Sequence, residues 1–376
     1  MKFQVERDVL AEAVAWTART LPGRSALPIL GGMLVEANSL SGSVTLSSFD
    51  FEVAGRTSVD APVVEGGRAL VSGRLFAEIS KALPPHPVDV SMDGAKVVLR
   101  CGGTRFTLQT MPVEDYPALP SLPPLAGTIG SDLFAAAVAQ VTIAAARDAT
   151  VPILSGVRVQ ISGDRLRLAC IDRFRIAVRD LPWQPAHAEM NALALVPARA
   201  VATMARSWSN GAEARLYLAG DGEDTMIGFE CGGRRSMSRL LENQFLDYLS
   251  RFPTTYASTA EMSTGALIDA VKRVALVAER TAPTRLSFES DQLVLEAATG
   301  EEAHAIEVLP VAFHGEPIQI AFNAQYLLEG LHALDSDTAR LAFTSPSQPA
   351  LLTGKPDPDG VPGDDYRYLV MPLRLT

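Results

Sequence analysis

Hydrophobic positions fall at helical spacing in Val71-Ser-Gly-Arg-Leu-Phe-Ala-Glu-Ile-Ser-Lys-Ala-Leu83, where Leu75, Phe76, Ile79 and Leu83 share one face behind an extended start and a small residue able to cap a helix. The pattern returns twice. Val196-Pro-Ala-Arg199 opens a copy that runs to Trp208 and starts 196 − 71 = 125 positions later. Phe322-Asn323 opens a third that runs to Leu334, another 322 − 196 = 126 on, with Tyr326, Leu327, Leu331 and Leu334 as its apolar face. Other segments keep the interval: Leu27-Pro-Ile-Leu30 and Val151-Pro-Ile-Leu154 are 124 apart, Asp50 and Asp172 are 122 apart, and Cys101-Gly-Gly103 and Cys231-Gly-Gly233 are 130 apart. A period near one third of the chain predicts three homologous domains, over residues 1–120, 128–250 and 256–376.

Each third reads as helix, strands, helix, strands, an α+β class with antiparallel sheets. Besides the three repeated helices, the spacing predicts helices over Arg7–Thr20, Ser131–Ala146 and Thr264–Glu279. Pro84-Pro85 stops the first repeated helix. Strands Val88–Met92, Lys96–Cys101 and Arg105–Gln109 follow, parted by the turn signals Asp93-Gly94 and Gly102-Gly103. Pro117 to Pro124 is a stiff connection, and Leu246 to Pro253 is the next one.

Composition narrows the class. Of 376 residues 47% are hydrophobic, enough for three cores, yet no apolar run approaches the roughly 20 residues of a membrane span. The opening Met1-Lys-Phe-Gln-Val5 predicts a strand and no secretory leader, so a cytoplasmic protein is expected. Three cysteines without CxxC spacing suggest neither a disulfide framework nor a zinc site. No P-loop and no Gly-x-Ser-x-Gly occurs, the five histidines are scattered, and the acidic turns at 221–224 and 364–365 read as solvated. Neither an enzyme nor a cofactor is therefore expected. The competing reading, a three-repeat enzyme with its site at a domain junction, needs polar residues confined to one repeat, and none converge. A net charge of −10 argues against an overall basic surface, but the predicted helices and their flanks carry ten basic against seven acidic side chains, +3, leaving −13 elsewhere.

The chain resembles the bacterial sliding clamp family, the β subunit of DNA polymerase III, along its whole length. The carriers are Leu27-Pro-Ile-Leu30, the Asp-x-x-Arg-x-Ala-Val run from Asp172 to Val178, Val196-Pro-Ala-Arg199, Phe322-Asn323 with Tyr326, and the terminal Tyr368-Leu-Val-Met-Pro-Leu-Arg-Leu375. The arginine-rich runs at Asp172–Arg175 and Val271–Arg280 give it an actinobacterial flavour. The resemblance implies a head-to-tail homodimer, a ring of six similar domains with helices lining the hole. About twelve helices each about 10 Å wide give a circumference of about 120 Å and an opening about 28 Å across, wide enough for duplex DNA. A mildly basic lining that meets phosphates alone carries no sequence information, which sliding requires. The implied partners are duplex DNA, the replicative polymerase α subunit, the clamp loader, repair polymerases and ligase, the last four through short linear motifs, with no membrane.

By resemblance, Arg24, Arg74, Arg147 and Arg199 face DNA. Pro152-Ile153 stands where some relatives carry aromatics, which weakens any stacking on single strands there. The implied partner pocket is walled by Leu154, Ile171, Arg173, Phe174, Arg175, Ile176, Leu246, Asn323, Tyr326, Ser347, Pro349, Met371, Pro372, Leu373 and Arg374. An exposed cluster of Leu, Ile, Met and Pro suits an extended peptide with hydrophobic anchors. Ile171 and Leu246 depart from the small polar residue and the proline usual in relatives. They raise a second expectation: an accessory clamp copy whose pocket refuses a clamp-directed antibiotic. Arg105, Phe106 and Leu108 against Ala275 and Leu276 match the family's dimer contact, with internal core as the rival reading for Phe106, Leu108, Ala275 and Leu276.

Overall fold

The computed structural model describes residues 1–23, 27–146, 151–208, 212–219, 225–241, 247–278, 282–299, 302–355 and 366–374. In chain order its α-helices are α1 (Arg7–Thr17), α2 (Gly73–Ala82), α3 (Ser131–Thr142), α4 (Pro152–Ser155), α5 (Ala198–Ala205), α6 (Thr264–Val274) and α7 (Ala324–His332). The repeat is plain in them. A strand leads straight into α2, α5 and α7 (Gly67–Ser72, Asn191–Pro197 and Ile318–Asn323). Capping differs between copies. Asn323 accepts from the amides of Gln325 (2.9 Å) and Tyr326 (3.2 Å), whereas the side chain of Ser72 makes no cap bond. Phe76, Ile79 and Leu83 are buried as the spacing requires, but Leu75 turns to solvent.

Helix ends fall short of the apolar pattern. After α1 the chain tightens into a 3-10 turn at Ala18–Thr20, and after α6 into another at Ala275–Val277. Leu27–Leu30 and Val151–Leu154 each become one helical turn with proline at its first residues. The turn glycines Gly94, Gly102 and Gly233 sit at φ of 58°, 56° and 75°, a region closed to most side chains.

The strand pairs whose register is described are antiparallel, and spatial contact divides the chain into two units, which are not three successive thirds. The first unit comprises Met1–Asp132, Gln184–Ala192 and Arg199–Leu240 and holds a 14-stranded sheet. The second comprises Leu133–Trp183, Leu193–Ala198 and Leu241–Thr376 and carries the nine- and four-stranded sheets. The middle third is shared because its strands extend different sheets: Arg234–Ser238 pairs with Val53–Thr57, and Arg175–Arg179 pairs with Tyr366–Val370.

In the first unit, α1 and α2 cover a core of Phe3, Leu10, Val14, Met33, Leu46, Phe76 and Leu99. Trp16 donates through Nε1 to buried Ser207 at 3.0 Å, tying α1 to the turn after α5. Tyr116 is buried and hydrogen-bonded to the backbone of Phe49, its oxygen accepting from that amide at 2.7 Å; burial pushes its pKa up to about 12. In the second unit Phe288 stacks on Phe313 and tilts against Phe343, while Tyr368 lies wholly buried beneath α7 with its hydroxyl on the carbonyl of Tyr326 at 2.8 Å. The three cysteines are buried and form no disulfide among the described residues. Among the described residues no helix is long and apolar enough to cross a membrane.

Candidate functional site

A groove of about 930 Å³ opens on the second unit. One wall is the hairpin of Arg165–Ile171 and Arg175–Pro182, whose tip is held by Asp172. The Asp172 carboxylate accepts from the amides of Phe174 (2.7 Å) and Arg175 (2.9 Å), and its own amide donates to the carbonyl of Arg175 at 3.0 Å. That closure pushes Phe174 outward, 45% exposed. The chain leaving strand Tyr366–Val370 then binds the tip: the amide of Met371 donates to the carbonyl of Phe174 at 2.8 Å, and Met371 is itself 41% exposed. Two large apolar side chains thus stand at the mouth of a groove floored by Ile171, Ile176, Tyr248 and Leu369. An exposed apolar site with polar neighbours binds through the area it removes from water.

Beneath the tip lies a network centred on Arg175, only 8% exposed. Its Nε donates to Asp172 at 3.1 Å, and its Nη1 reaches both Glu329 on α7 and the Tyr368 hydroxyl (3.5 Å). Burial alone would lower its pKa, but Tyr368 and Glu329 outweigh burial and hold the guanidinium above its ordinary value. The same cation sits over the Tyr326 ring at 4.4 Å, and Tyr326 stacks on Phe174 at 5.7 Å. A buried charge therefore sets the orientation of an exposed aromatic.

Of the expected pocket residues, Ile171, Arg173, Phe174, Arg175, Ile176, Pro349 and Met371 line this groove. Asn323 and Tyr326 stand behind it as helix cap and aromatic backing. Leu154, Ser347, Pro372, Leu373 and Arg374 are not on its walls; Leu373 is tied by its amide to the carbonyl of Ala321 at 2.8 Å. Leu246 lies outside the described residues. The far wall, Asp247, Ser250, Arg251, Pro253, Thr254, Thr255, Thr344 and Gln348, was not anticipated. Only the predicted connection at Leu246–Pro253 hinted at it, because a polar connector carries no periodicity.

Arg24 and Arg147 also lie outside the described residues. Arg74 is exposed on α2 and donates from Nη2 to the carbonyls of Pro22 (2.9 Å) and Gly23, neutral acceptors that leave its charge in place. Arg199 is exposed on α5. Arg19, Lys81, Arg206 and Lys272 are likewise exposed, and none of the five has an ion pair among the described residues. Arg7 and Arg273 are spent on Asp8 (2.7 Å) and Glu307.

Among the expected dimer residues, Leu108 requires correction. At 2% exposure it belongs to the core of the first unit, packed inward by the pleat, and Phe106 leans half-buried on the same core. Arg105 is exposed on that strand. In the second unit Ala275 is half-buried and Leu276 is 84% exposed on its 3-10 turn. The turn packs near the edge strand Ala303–Pro310, which among the described residues pairs on one side only and exposes Ile306 and Val308. An open edge with outward apolar residues is a self-association surface. Their alternation is readable in the sequence itself.

Three family profiles match the chain: DNA polymerase III beta subunit N-terminal domain over residues 1–120, central domain over 128–247 and C-terminal domain over 250–374. It is 50% identical to the beta sliding clamp of Streptomyces coelicolor, over all of both chains. It is 39% identical to the beta sliding clamp homolog GriR of Streptomyces muensis, again over all of both. A crystal structure of the Pseudomonas aeruginosa sliding clamp bound to griselimycin superposes over all of both chains with a TM-score of 0.92 at 25% identity.

Proposed function

The chain belongs to the DNA polymerase III beta subunit family, and from that premise we propose that the groove at Phe174 and Met371 is where this sliding clamp holds its partners. As a member it is a DNA-replication processivity factor with the three-domain clamp fold. It binds DNA and polymerase partners and is not an enzyme. The observation that carries the groove is the pairing of two exposed apolar side chains, Phe174 and Met371, on a tip fixed by Asp172 and Arg175. An extended peptide covers both anchors and spans to the polar connector opposite. Methionine adapts to several partners, which suits the polymerases, clamp loader and ligase a clamp must serve in turn.

The domain limits are 1–120, 128–250 and 256–376, close to the three matched spans. Two copies join head to tail, the edge strand Ala303–Pro310 and Leu276 of one meeting the Thr104–Gln109 edge of the other, which pairs with Lys96–Cys101 on one side only. Arg105 and Phe106 lie on that edge. The closed ring works in the cytoplasm, where its DNA lies, and Arg19, Lys81, Arg199, Arg206 and Lys272 supply loose phosphate contacts without sequence reading.

A second reading attaches to Ile171: its bulk on the groove wall narrows the entry for a cyclic peptide. The higher identity to the ordinary clamp than to the GriR homologue favours the housekeeping role. Isothermal titration with griselimycin decides, since Ile171→Ser should tighten binding if this is a resistant copy, and unchanged affinity removes that reading. For the main proposal the test is anisotropy of a labelled peptide from the replicative polymerase. The double change Phe174→Ala with Met371→Ala should abolish binding while light scattering still reports a dimer. Undiminished binding would move the site elsewhere.

A further inference from the structure

A smaller groove, about 240 Å³, lies in the first unit. Its floor is Ala54 and Met237, directly opposite each other where Val53–Asp60 pairs with Arg234–Arg239, and its wall is Leu119 and Leu122 of the connector. The large groove has the same construction. Ile176 and Leu369 stand opposite each other where Arg175–Pro182 pairs with Tyr366–Val370, under the connector at 247–255. The repeat aligns the two. Asp50 accepts from the amides of Glu52 (3.1 Å) and Val53 (2.7 Å) as Asp172 does from Phe174 and Arg175, so Ala54 is the counterpart of Ile176.

The smaller groove differs in charge. Arg56 and Arg235, both exposed, line it and face each other in register across the strand pair. Side chains so placed have Cβ atoms about 4.5–5.5 Å apart, and like charges there repel. Arg235 is bound to Glu230, which also lies 3.8 Å from Arg215; Glu52 is taken by Arg239 at 3.8 Å. Arg56 has no ion pair or side-chain hydrogen bond among the described residues. The cross-strand row Arg215, Glu230, Arg235, Arg56 therefore holds three positive charges against one negative, with Glu213 3.7 Å from Arg215 at its far end, away from Arg56.

We propose that this groove is a second docking site, for a short segment of a partner protein that carries one apolar anchor flanked by acidic residues. The anchor lies over Met237 between Leu119 and Leu122, and a flanking carboxylate bridges Arg56 and Arg235, relieving a repulsion the empty site bears. Its smaller volume admits one anchor where the large groove admits several. The inference stands on repeat geometry and charge, and does not require the large groove to bind peptides.

The test uses the full chain carrying Met371→Glu, which spoils the large groove, and a fluorescein-labelled peptide, acetyl-Asp-Glu-Leu-Glu-Asp amide. Saturable binding is expected. Adding Arg56→Glu, at an exposed position with no partner to lose, should weaken it about fivefold or more. The uncharged peptide acetyl-Asn-Gln-Leu-Gln-Asn amide should bind more weakly by a similar factor. Hydrogen exchange with the acidic peptide bound should slow at 119–122. Indifference to Arg56→Glu, absence of saturable binding in the Met371→Glu protein, or slowing at 247–255 instead would each overturn the proposal, the last by placing the peptide in the large groove.

Discussion

Arg175→Ala removes the cation that Asp172 and Glu329 share beneath the hairpin tip, and its cost follows from what is left behind. Asp172 keeps the two backbone amides that donate to it, and Glu329 keeps the side-chain amide of Gln325 at 2.7 Å, so neither carboxylate is orphaned outright. Breaking a buried ion pair costs about 3–5 kcal/mol. With two residual acceptors partly satisfied, the low end applies, about 3 kcal/mol. At about 2–4 °C per kcal/mol for a unit of this size, melting of the second unit should fall by about 6–12 °C. A second consequence reaches the site. Tyr326 loses the cation 4.4 Å from its ring, Phe174 loses a fixed stacking partner, and peptide affinity should fall although Phe174 itself is unchanged. Arg175→Lys keeps charge without the planar fork and should recover only part of both effects. The assay is calorimetry on Arg175→Ala, Glu329→Ala and the double variant, with anisotropy of the polymerase peptide in parallel. A coupling between the two positions below about 0.5 kcal/mol would refute the network as the cause.

Leu276→Glu, or Ile306→Glu, should convert the dimer to monomer by light scattering without lowering the melting temperature of the isolated subunit; a persistent dimer would reject that edge. Of seven tyrosines, Tyr116, Tyr248, Tyr366 and Tyr368 are held above the ordinary phenol range chiefly by burial. Because their folded pKa values are raised, their contribution to stability is full below about pH 10, the ordinary value, and is lost as pH climbs through the raised ones. Melting temperature should therefore fall steeply above pH 10, less so in Tyr116→Phe, and a shallow ordinary titration of all seven would contradict the burial argument. Lys81→Ala with Arg199→Ala should reduce the salt dependence of DNA contact by about one unit of log–log slope per phosphate lost, and equally on every sequence.

The threefold plan was legible because each copy repeats both an apolar helix face and its entry strand, and local pattern encodes those. Helix ends were overdrawn at Thr20 because the apolar pattern continues while the backbone tightens into a 3-10 turn. The division into two units was not legible. It depends on Val53–Thr57 finding Arg234–Ser238, a pairing of strands far apart in sequence that no local signal fixes. In the groove the tip residues Arg173 to Ile176 stood out as a motif, whereas Thr344, Gln348 and the connector from Asp247 are polar and aperiodic. Charge was the poorest guide. Arg273 counts as basic lining in the sequence, but Glu307 neutralises it, and no local pattern shows that pairing.

Encirclement is tested most directly by loading the protein onto nicked circular DNA and then cutting the circle. A clamp that holds by topology stays on the circle and runs off the linear product at physiological salt. Equal retention on both forms would mean that attraction to the duplex does the holding, and would contradict the account.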